Sequence, residues 1–429
     1  MNIKKLIVNV VKVSVTGLIL LAIFWKFDID RQDVVAALTK DSSPAWWIAS
    51  LFTQAAAIFF SILRWRVLLH AQNLMVPDGH LVRTYLVGRF LGTFTPTGIG
   101  LEAYKAYDTA RYTKKATESV AVVVVEKFLT ILTLSLLVLS TLPFINLPAK
   151  YMFAVVAFFG IMLVATSILV IKPTLLELLL RLPLPAKGKI KGIVNTAVEA
   201  FNRYSKNKLT LVWAVGFGVL VYFALFSTYF TNGKALGIPP HQTGTHYTVQ
   251  LNSQDYKFLD SQSIRMLNTS KEETKASSPG FVDWLKGLIS GEKAEQIDNL
   301  PQEGVFEVYL TADEAMMASE RGLQLIEVSD QTTYDHKGLS LFDVMKAAPL
   351  TQIASMVPLS IAGVGLREAG FTGTLHLSGV WVAKKAVFAS LMWYFVSISL
   401  NIVGAIIFLT RKTDYQASRE EIDRVLKGN

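Results

Sequence analysis

The chain contains no cysteine, and only 17% of its 429 residues are charged. The absence of cysteine excludes disulfides, thiol nucleophiles, thiolate zinc sites and cysteine-held iron–sulfur clusters. An average soluble domain carries about 25% charged residues, so the deficit of charge and the 52% hydrophobic content exclude an ordinary soluble enzyme. The sequence therefore predicts an integral membrane protein.

Histidine is also sparse, and its spacing does not suit a metal site. The six histidines occur at positions 70, 80, 241, 246, 336 and 376, and only His241 and His246 form a loose pair. Because zinc sites need ligands at defined spacings, we predict no metal site and no cofactor. No Ser/His/Asp grouping or Asp-rich metal motif occurs, so the chain is not expected to be an enzyme.

Long apolar runs provide candidate transmembrane helices, each of which needs about 20 mostly apolar residues to cross a bilayer. Six runs qualify: Leu6–Trp25, Ala45–Leu63, Ser119–Leu142, Met152–Ile171, Leu209–Phe230 and Val387–Thr410. Lys4 and Lys5 precede the first run, as in a secretory signal, but no small-residue cleavage site follows it. The first run is therefore predicted to be an uncleaved anchor.

Lysine and arginine predict the orientation of these spans. Residues 64–115 and residues 172–208 contain eight Lys and Arg each, whereas residues 143–151 contain only Lys150. Cytoplasmic connections are the ones enriched in these residues. We therefore expect a multi-pass protein of the bacterial inner (plasma) membrane, with both termini cytoplasmic and residues 231–341 extracytoplasmic.

An acidic segment interrupts this basic chain. Residues 241–340 contain eight basic and sixteen acidic residues, a net charge of −8, whereas the rest of the chain has a net charge of +17. Alternating patterns at His246–Leu251, Phe306–Leu310 and Leu323–Val328 predict strands, and a capping box at Thr311–Glu314 predicts a helix. We interpret the segment as a small α+β domain. A partly disordered loop is the alternative.

Two further apolar stretches, Leu86–Tyr107 and Ala348–Phe371, are too interrupted for simple spans. Each contains a short apolar helix, a proline, a Gly-x-Gly pair and then an acid and a base. The residues in question are Pro96, Gly98, Gly100, Glu102 and Lys105 in the first stretch, and Pro358, Gly363, Gly365, Arg367 and Glu368 in the second. Irregular backbone at membrane depth survives only where protein or a water-filled cavity satisfies it. We therefore predict two re-entrant hairpins, over residues 78–107 and 342–378.

Opposed broken helices in the two halves of a chain indicate a midplane substrate site in transporters. By the predicted orientation, the first hairpin enters from the cytoplasm and the second from outside. Arg367 or Lys105 would pair with a phosphate, and Glu102 or Glu368 would neutralise or relay charge, because ionisable groups at this depth are usually functional. The alternative is that Pro and Gly mark interfacial loops whose charges lie among the lipid headgroups.

Glu126 is a third acid within an apolar run, in the sequence Val-Val-Val-Val-Glu-Lys-Phe that ends at Phe128. It lies one to two turns into the predicted third span. It could face the same cavity as the hairpins, or it could form a pair with Lys127 that snorkels to the membrane surface.

With these motifs in view, the chain resembles the lysylphosphatidylglycerol synthetase transmembrane family, also called the flippase-like integral membrane family. Residues 95–107 are similar to its Pro-x-x-x-Gly-Gly-Asp/Glu-x-x-Arg-Ala-Tyr block, and residues 119–128 to its helix entering Val-x-Glu-Arg. Residues 358–368 are similar to its block Pro-Ile-Ser-Ile-Gly-Gly-Leu-Gly-Val-Arg-Glu. Together with the order of spans, the resemblance covers residues 1–239 and 340–412.

The chain departs from the family pattern in several places. Lys105 and Lys127 stand where the family commonly has arginine, and Leu101 and Ala362 replace glycines. An ammonium binds phosphate as a point charge, whereas a guanidinium binds it at two points, so the lysines would loosen headgroup selectivity. The soluble aminoacyl-transferase domain of lysyl-lipid synthases is not expected here, and we infer no lysyl transfer.

The resemblance implies an all-α polytopic membrane protein that moves a lipid with a phosphate-containing headgroup between leaflets. The expected ligand is a phospholipid or an isoprenoid-phosphate lipid, and nucleic acid is not an expected partner. The alternatives are a membrane-embedded enzyme or accessory factor in cell-envelope lipid synthesis, and a scaffold whose acidic outer domain binds an envelope protein. The predicted divisions are 1–239 and 341–412 for the transmembrane domain, 240–340 for the insert and 413–429 for a cytoplasmic tail.

Overall fold

The computed structural model describes residues 43–93, 95, 99–145, 147, 149–171, 202–204, 208–238, 244–261, 266–268, 304–327, 338–356, 364–378, 380 and 383–410. The first predicted span, Leu6–Trp25, and the tail 413–429 lie outside these residues. Of the candidate site residues, Pro96, Gly98, Pro358 and Gly363 also lie outside them.

The described elements are mostly helical. The helices are α1 (Pro44–Ala71), α2 (Asp78–Thr93), α3 (Ile99–Thr113), α4 (Ala116–Thr141), α5 (Ala149–Ile171), α6 (Lys208–Ala235), α7 (Ser253–Ser261), α8 (Ala312–Glu320), α9 (Leu341–Met356), α10 (Leu366–Leu377) and α11 (Ala383–Thr410). The strands are β1 (Gly244–Leu251), β2 (Met266–Asn268), β3 (Gly304–Thr311) and β4 (Ile326–Glu327).

Five of the described helices are long and apolar enough to cross a membrane. They are α1, α4, α5, α6 and α11, and they coincide with the five predicted runs that follow the first. With no water in the hydrocarbon core, a helix satisfies all of its backbone groups internally. The fold class is confirmed: the chain is an all-α polytopic membrane protein with a small α+β insert.

The central pair of the bundle is α1 with α6, which pack against each other along their length. Small polar side chains join the two helices: Ser50 Oγ donates to Asn232 Oδ1 at 2.7 Å and lies 2.8 Å from Thr231 Oγ1. Asn232 Nδ2 in turn donates to the carbonyl of Ala389 on α11 at 2.9 Å. Hydrogen bonds between helices hold bundles together where lipid removes the hydrophobic driving force.

The insert forms a four-stranded sheet in the order β2-β3-β1-β4. Strand β3 pairs antiparallel with β1, with Phe306 opposite Val249, and both side chains lie in the core of this domain. Helix α7 was not predicted, because its sequence is polar and short. Asn252 Oδ1 accepts from the backbone N–H of Asp255 at 2.9 Å, so an N-cap starts this helix.

Two helical hairpins pack at opposite ends of the bundle. The first hairpin, α2 with α3, contributes Leu81 and Tyr85 to a core cluster with the N-terminal half of α4. The second hairpin, α9 with α10, contributes Val344 and Phe371 to a cluster with the C-terminal half of α4, around Val138. Because α4 is a candidate span, the hairpins approach its middle from opposite directions.

Helix α11 contacts both hairpins, and Gly404 allows its close approach to α2. A Cβ atom added at Gly404 would lie 2.1 Å from the carbonyl oxygen of Leu86 and 3.2 Å from Phe90 Cβ. Backbone cannot yield as a flexible side chain does, so we expect Gly404→Ala to lower the free energy of unfolding by about 1–3 kcal/mol. Thermal unfolding in detergent micelles, followed by tryptophan fluorescence, measures this loss.

The matched control is Gly216→Ala on α6. An added Cβ there meets no atom within 4 Å. Alanine favours helix by up to about 1 kcal/mol over glycine, so this variant should be neutral or slightly more stable. Equal unfolding temperatures for the two variants would contradict the close α2–α11 contact.

Candidate site between the two hairpins

The ends of both hairpins meet α11 near its middle. Arg89, in the last turns of α2, contacts Ser397 and Asn401, while Arg367, in the first turn of α10, contacts Tyr394. Since α11 spans residues 383–410, all of these contacts fall in its central part. In a membrane crossed by α11, the two arginines therefore lie near the bilayer centre.

The first hairpin holds Arg89 with neutral groups. Arg89 Nε donates to Asn401 Oδ1 at 3.1 Å and Arg89 Nη2 donates to Ser397 Oγ at 3.0 Å. Asn401 Nδ2 also donates to Thr93 Oγ1 at 2.9 Å, which fixes the orientation of the amide. The end of α2 is thus attached to α11 through the hydrogen bonds of this guanidinium.

The second hairpin buries Arg367 and Glu368 almost completely, at 2% and 0% exposure. The Arg367 guanidinium carbon lies 3.6 Å from the ring centre of Tyr394 and 4.2 Å from that of Trp393. Arg367 Nε donates to Glu368 Oε1 at 3.4 Å. Aromatic faces stabilise a cation that has lost its water, so α11 forms a platform for this guanidinium.

Glu368 also shapes the backbone at the start of α10. The N–H of Gly365 donates to Glu368 Oε2 at 2.6 Å, and Ser390 Oγ on α11 donates to Glu368 Oε1 at 3.1 Å. Gly365 has φ +89°, a left-handed conformation that residues with a Cβ rarely adopt. Gly365 therefore provides the turn, and the carboxylate of Glu368 closes it.

Glu126 pairs with two cations, Lys105 and Arg64, in a buried cluster that we call the triad. Lys105 and Glu126 are both candidate residues. Lys105 Nζ donates to Glu126 Oε2, and Arg64 Nη2 donates to Glu126 Oε1 at 3.0 Å. Lys105 Nζ also lies 4.8 Å from the ring centre of Trp65. Glu126 is thus buried beside these cations and does not form a surface pair with Lys127, which contacts Glu102 instead. One carboxylate compensates two cations, so this group has a net positive charge.

Glu102 lies apart from these buried groups. Its carboxylate accepts from Lys127 Nζ at 3.0 Å, and the two side chains are 30% and 51% exposed. Glu102 and Lys105, the acid and the base of the first motif, therefore belong to two separate ion pairs, because Lys105 contacts Glu126 on α4 whereas Glu102 contacts Lys127. Gly100, at the start of α3, donates its N–H to Thr95 Oγ1 at 2.9 Å.

The sequence places Arg64 and Arg89 in the connection between two predicted spans, yet both lie within helices, α1 and α2. Helix α1 continues past the predicted end of the span at Leu63, and Glu126 compensates the charge of Arg64 on this extension. The signal was available: Arg64 follows Ser-Ile-Leu and Arg89 follows Leu-Val-Gly, both within apolar stretches. The predicted orientation of the spans depends partly on counting these two arginines as cytoplasmic, and it stays a prediction.

These features define a polytopic membrane protein with two opposed helical hairpins, whose ends bring the buried Arg367 and the half-buried Arg89 to the middle of α11. Residues 9–250 match the family described as the lysylphosphatidylglycerol synthase TM region. The match covers more than half of the 429 residues, so the chain belongs to this family, as the resemblance predicted. Membership links the chain to lipid handling in the membrane. Among curated proteins and solved structures, nothing matches the chain.

The matched range ends within β1, so it contains the first hairpin and most of the spans. The second hairpin lies beyond it and is known from the sequence motif and the geometry. Among the residues that the structure describes, no group of three or more His, Asp or Glu could hold a metal ion.

Proposed function

We propose that this protein moves a lipid with a phosphate-containing headgroup, a phospholipid or an isoprenoid-phosphate lipid, between the leaflets of the membrane. The observation that carries the proposal is the state of Arg367. Its guanidinium is buried at the meeting point of the hairpins, and Nη2 has no hydrogen-bond partner among the described residues. A buried donor without a partner is costly, and a phosphate oxygen is its natural acceptor.

The arrangement of the hairpins supports the same function. One hairpin packs at each end of the bundle, so a headgroup could reach the central arginines from either leaflet. Arg367 also lies in the first turn of α10, and a helix N-terminus favours anions. Charges within a membrane are costly enough that they usually mark a substrate path.

The test is lipid transfer by purified protein in liposomes that contain fluorescent phosphatidylglycerol, with dithionite quenching the label in the outer leaflet. We expect Arg367→Gln to slow transfer by roughly 10- to 100-fold, the value of a hydrogen bond to a charged group. The matched control is Arg66→Gln, because Arg66 forms a half-exposed pair with Asp78 at 3.1 Å. The control should transfer lipid at the wild-type rate.

Transfer at the wild-type rate by Arg367→Gln would contradict the proposal, as would wild-type protein that moves no lipid. The second candidate function is an envelope scaffold, which the separate hydrophobic core of the insert favours. Removal of residues 240–340 should leave lipid transfer intact if transport is the function. The scaffold function is supported if this deletion causes the same cellular defect as loss of the whole protein and no variant, wild type included, transfers lipid.

A further inference from the structure

Arg89 differs from the other two arginines of the site in its partners. Arg64 faces Glu126 and Arg367 faces Glu368. Within the described part of the chain, the Arg89 guanidinium donates to Ser397 and Asn401, both of which are neutral. A guanidinium at membrane depth without a carboxylate is costly, and a bound anion lowers that cost. Arg89 therefore offers a charge that no carboxylate among the described residues compensates.

The partners of Arg89 and of the second hairpin lie along one face of α11. Ser390, Tyr394, Ser397 and Asn401 are separated by four, three and four residues, a spacing that aligns side chains on a helix. We call these four residues the α11 track. Tyr394 and Ser397 are about 4.5 Å apart along the helix axis, and the whole track is about 16 Å long.

We propose that the headgroup phosphate passes along the α11 track from one hairpin to the other, with Arg89 as its second binding residue. The inference rests on the proposed function and adds to it a route for the headgroup and a second binding residue. A phosphate held by Arg367 above Tyr394 needs to move only about one helical turn to reach the guanidinium of Arg89. Ser397 and Asn401 position that guanidinium without neutralising it.

The variant that isolates this role is Asn401→Asp. Asn401 Oδ1 already accepts from Arg89 Nε, so an aspartate keeps this contact between α2 and α11 and adds a negative charge. Its other oxygen can accept from the hydroxyl of Thr93, which now accepts from the amide. The fold should therefore persist while Arg89 loses its free charge.

The comparison variant is Asn401→Leu, which removes the contact and leaves the charge of Arg89. In the phosphatidylglycerol transfer assay, we expect Asn401→Asp to lose about tenfold or more in rate with an unchanged unfolding temperature. Asn401→Leu should lose less of the transfer rate than Asn401→Asp, because Arg89 keeps an uncompensated charge, although the leucine variant unfolds at a lower temperature. If Asn401 has only a structural role, the order of the transfer rates is reversed. The leucine variant is then the slower of the two, because it has lost the contact with Arg89.

Three results would overturn the inference. In each of them, wild-type protein still transfers lipid and Arg367→Gln still slows this transfer, so the proposed function stays in place. The first is wild-type transfer by Asn401→Asp, and the second is the reversed order of the two variants. The third is uptake of radiolabelled inorganic phosphate that Asn401→Asp abolishes, because the track would then carry a free anion. Absence of lipid transfer by wild-type protein would instead contradict the proposed function itself.

Discussion

Replacing Glu126 with alanine is expected to lower the free energy of unfolding by about 3–5 kcal/mol, the cost of removing one partner from a buried charge pair. Lys105 is 2% exposed and Arg64 is 7% exposed, and each donates to a different oxygen of Glu126. Without this carboxylate, two cations remain in a place that water does not reach. This loss of compensation favours states in which α1, α3 and α4 separate and water reaches the two side chains.

Unfolding by a graded increase of sodium dodecyl sulfate in mixed micelles measures this loss. The matched control is Glu102→Ala, because Glu102 pairs with Lys127 on a face that is partly exposed. Pairs of that kind contribute about 0–1 kcal/mol. A loss below about 1 kcal/mol for Glu126→Ala as well would show that the triad is not a stabilising element.

The second large effect is expected at Glu368. Its carboxylate accepts from the N–H of Gly365, from Ser390 and from Arg367, and it is 0% exposed. Glu368→Gln leaves the Arg367 guanidinium buried without a carboxylate and weakens the turn before α10. We expect a loss of about 3–5 kcal/mol in the free energy of unfolding.

A double variant separates the charge from the turn. Glu368→Gln combined with Arg367→Gln removes the uncompensated cation, so it should be less destabilised than the sum of the two single variants by about 0.5–3 kcal/mol. The same titration with sodium dodecyl sulfate measures all three variants. Strict additivity would mean that Arg367 and Glu368 do not compensate each other, despite their contact of 3.4 Å.

Much of the membrane architecture follows from the sequence, since long apolar runs have few alternatives to helices in lipid. The runs that became α4, α5, α6 and α11 were located to within a few residues. The insert was also visible, because alternating patterns at β1 and β3 and the abrupt change of charge mark a separate unit. Proline and the Gly-x-Gly pairs marked the two breaks between the hairpin helices.

The pairing of charges was not predictable in the same way. Glu102 and Lys105 are neighbours in sequence, yet Glu102 contacts Lys127 and Lys105 contacts Glu126. Three residues along a helix turn a side chain by about 300°, so neither proximity nor charge indicates which partner it meets. In the sequence, Arg64 and Arg89 count among the basic residues of a predicted cytoplasmic connection. In the structure, both lie inside helices.

The sequence by itself determined that this chain is a helical membrane protein with two broken hairpins and an acidic insert, because apolar length and backbone breaks are local properties. Only the tertiary structure decided which charges share a site, because that depends on the rotation and depth of helices from distant parts of the chain. Arg89 and Asn401 are 312 residues apart and meet through α2 and α11. Their contact, and the path that we infer from it, follows from helix packing.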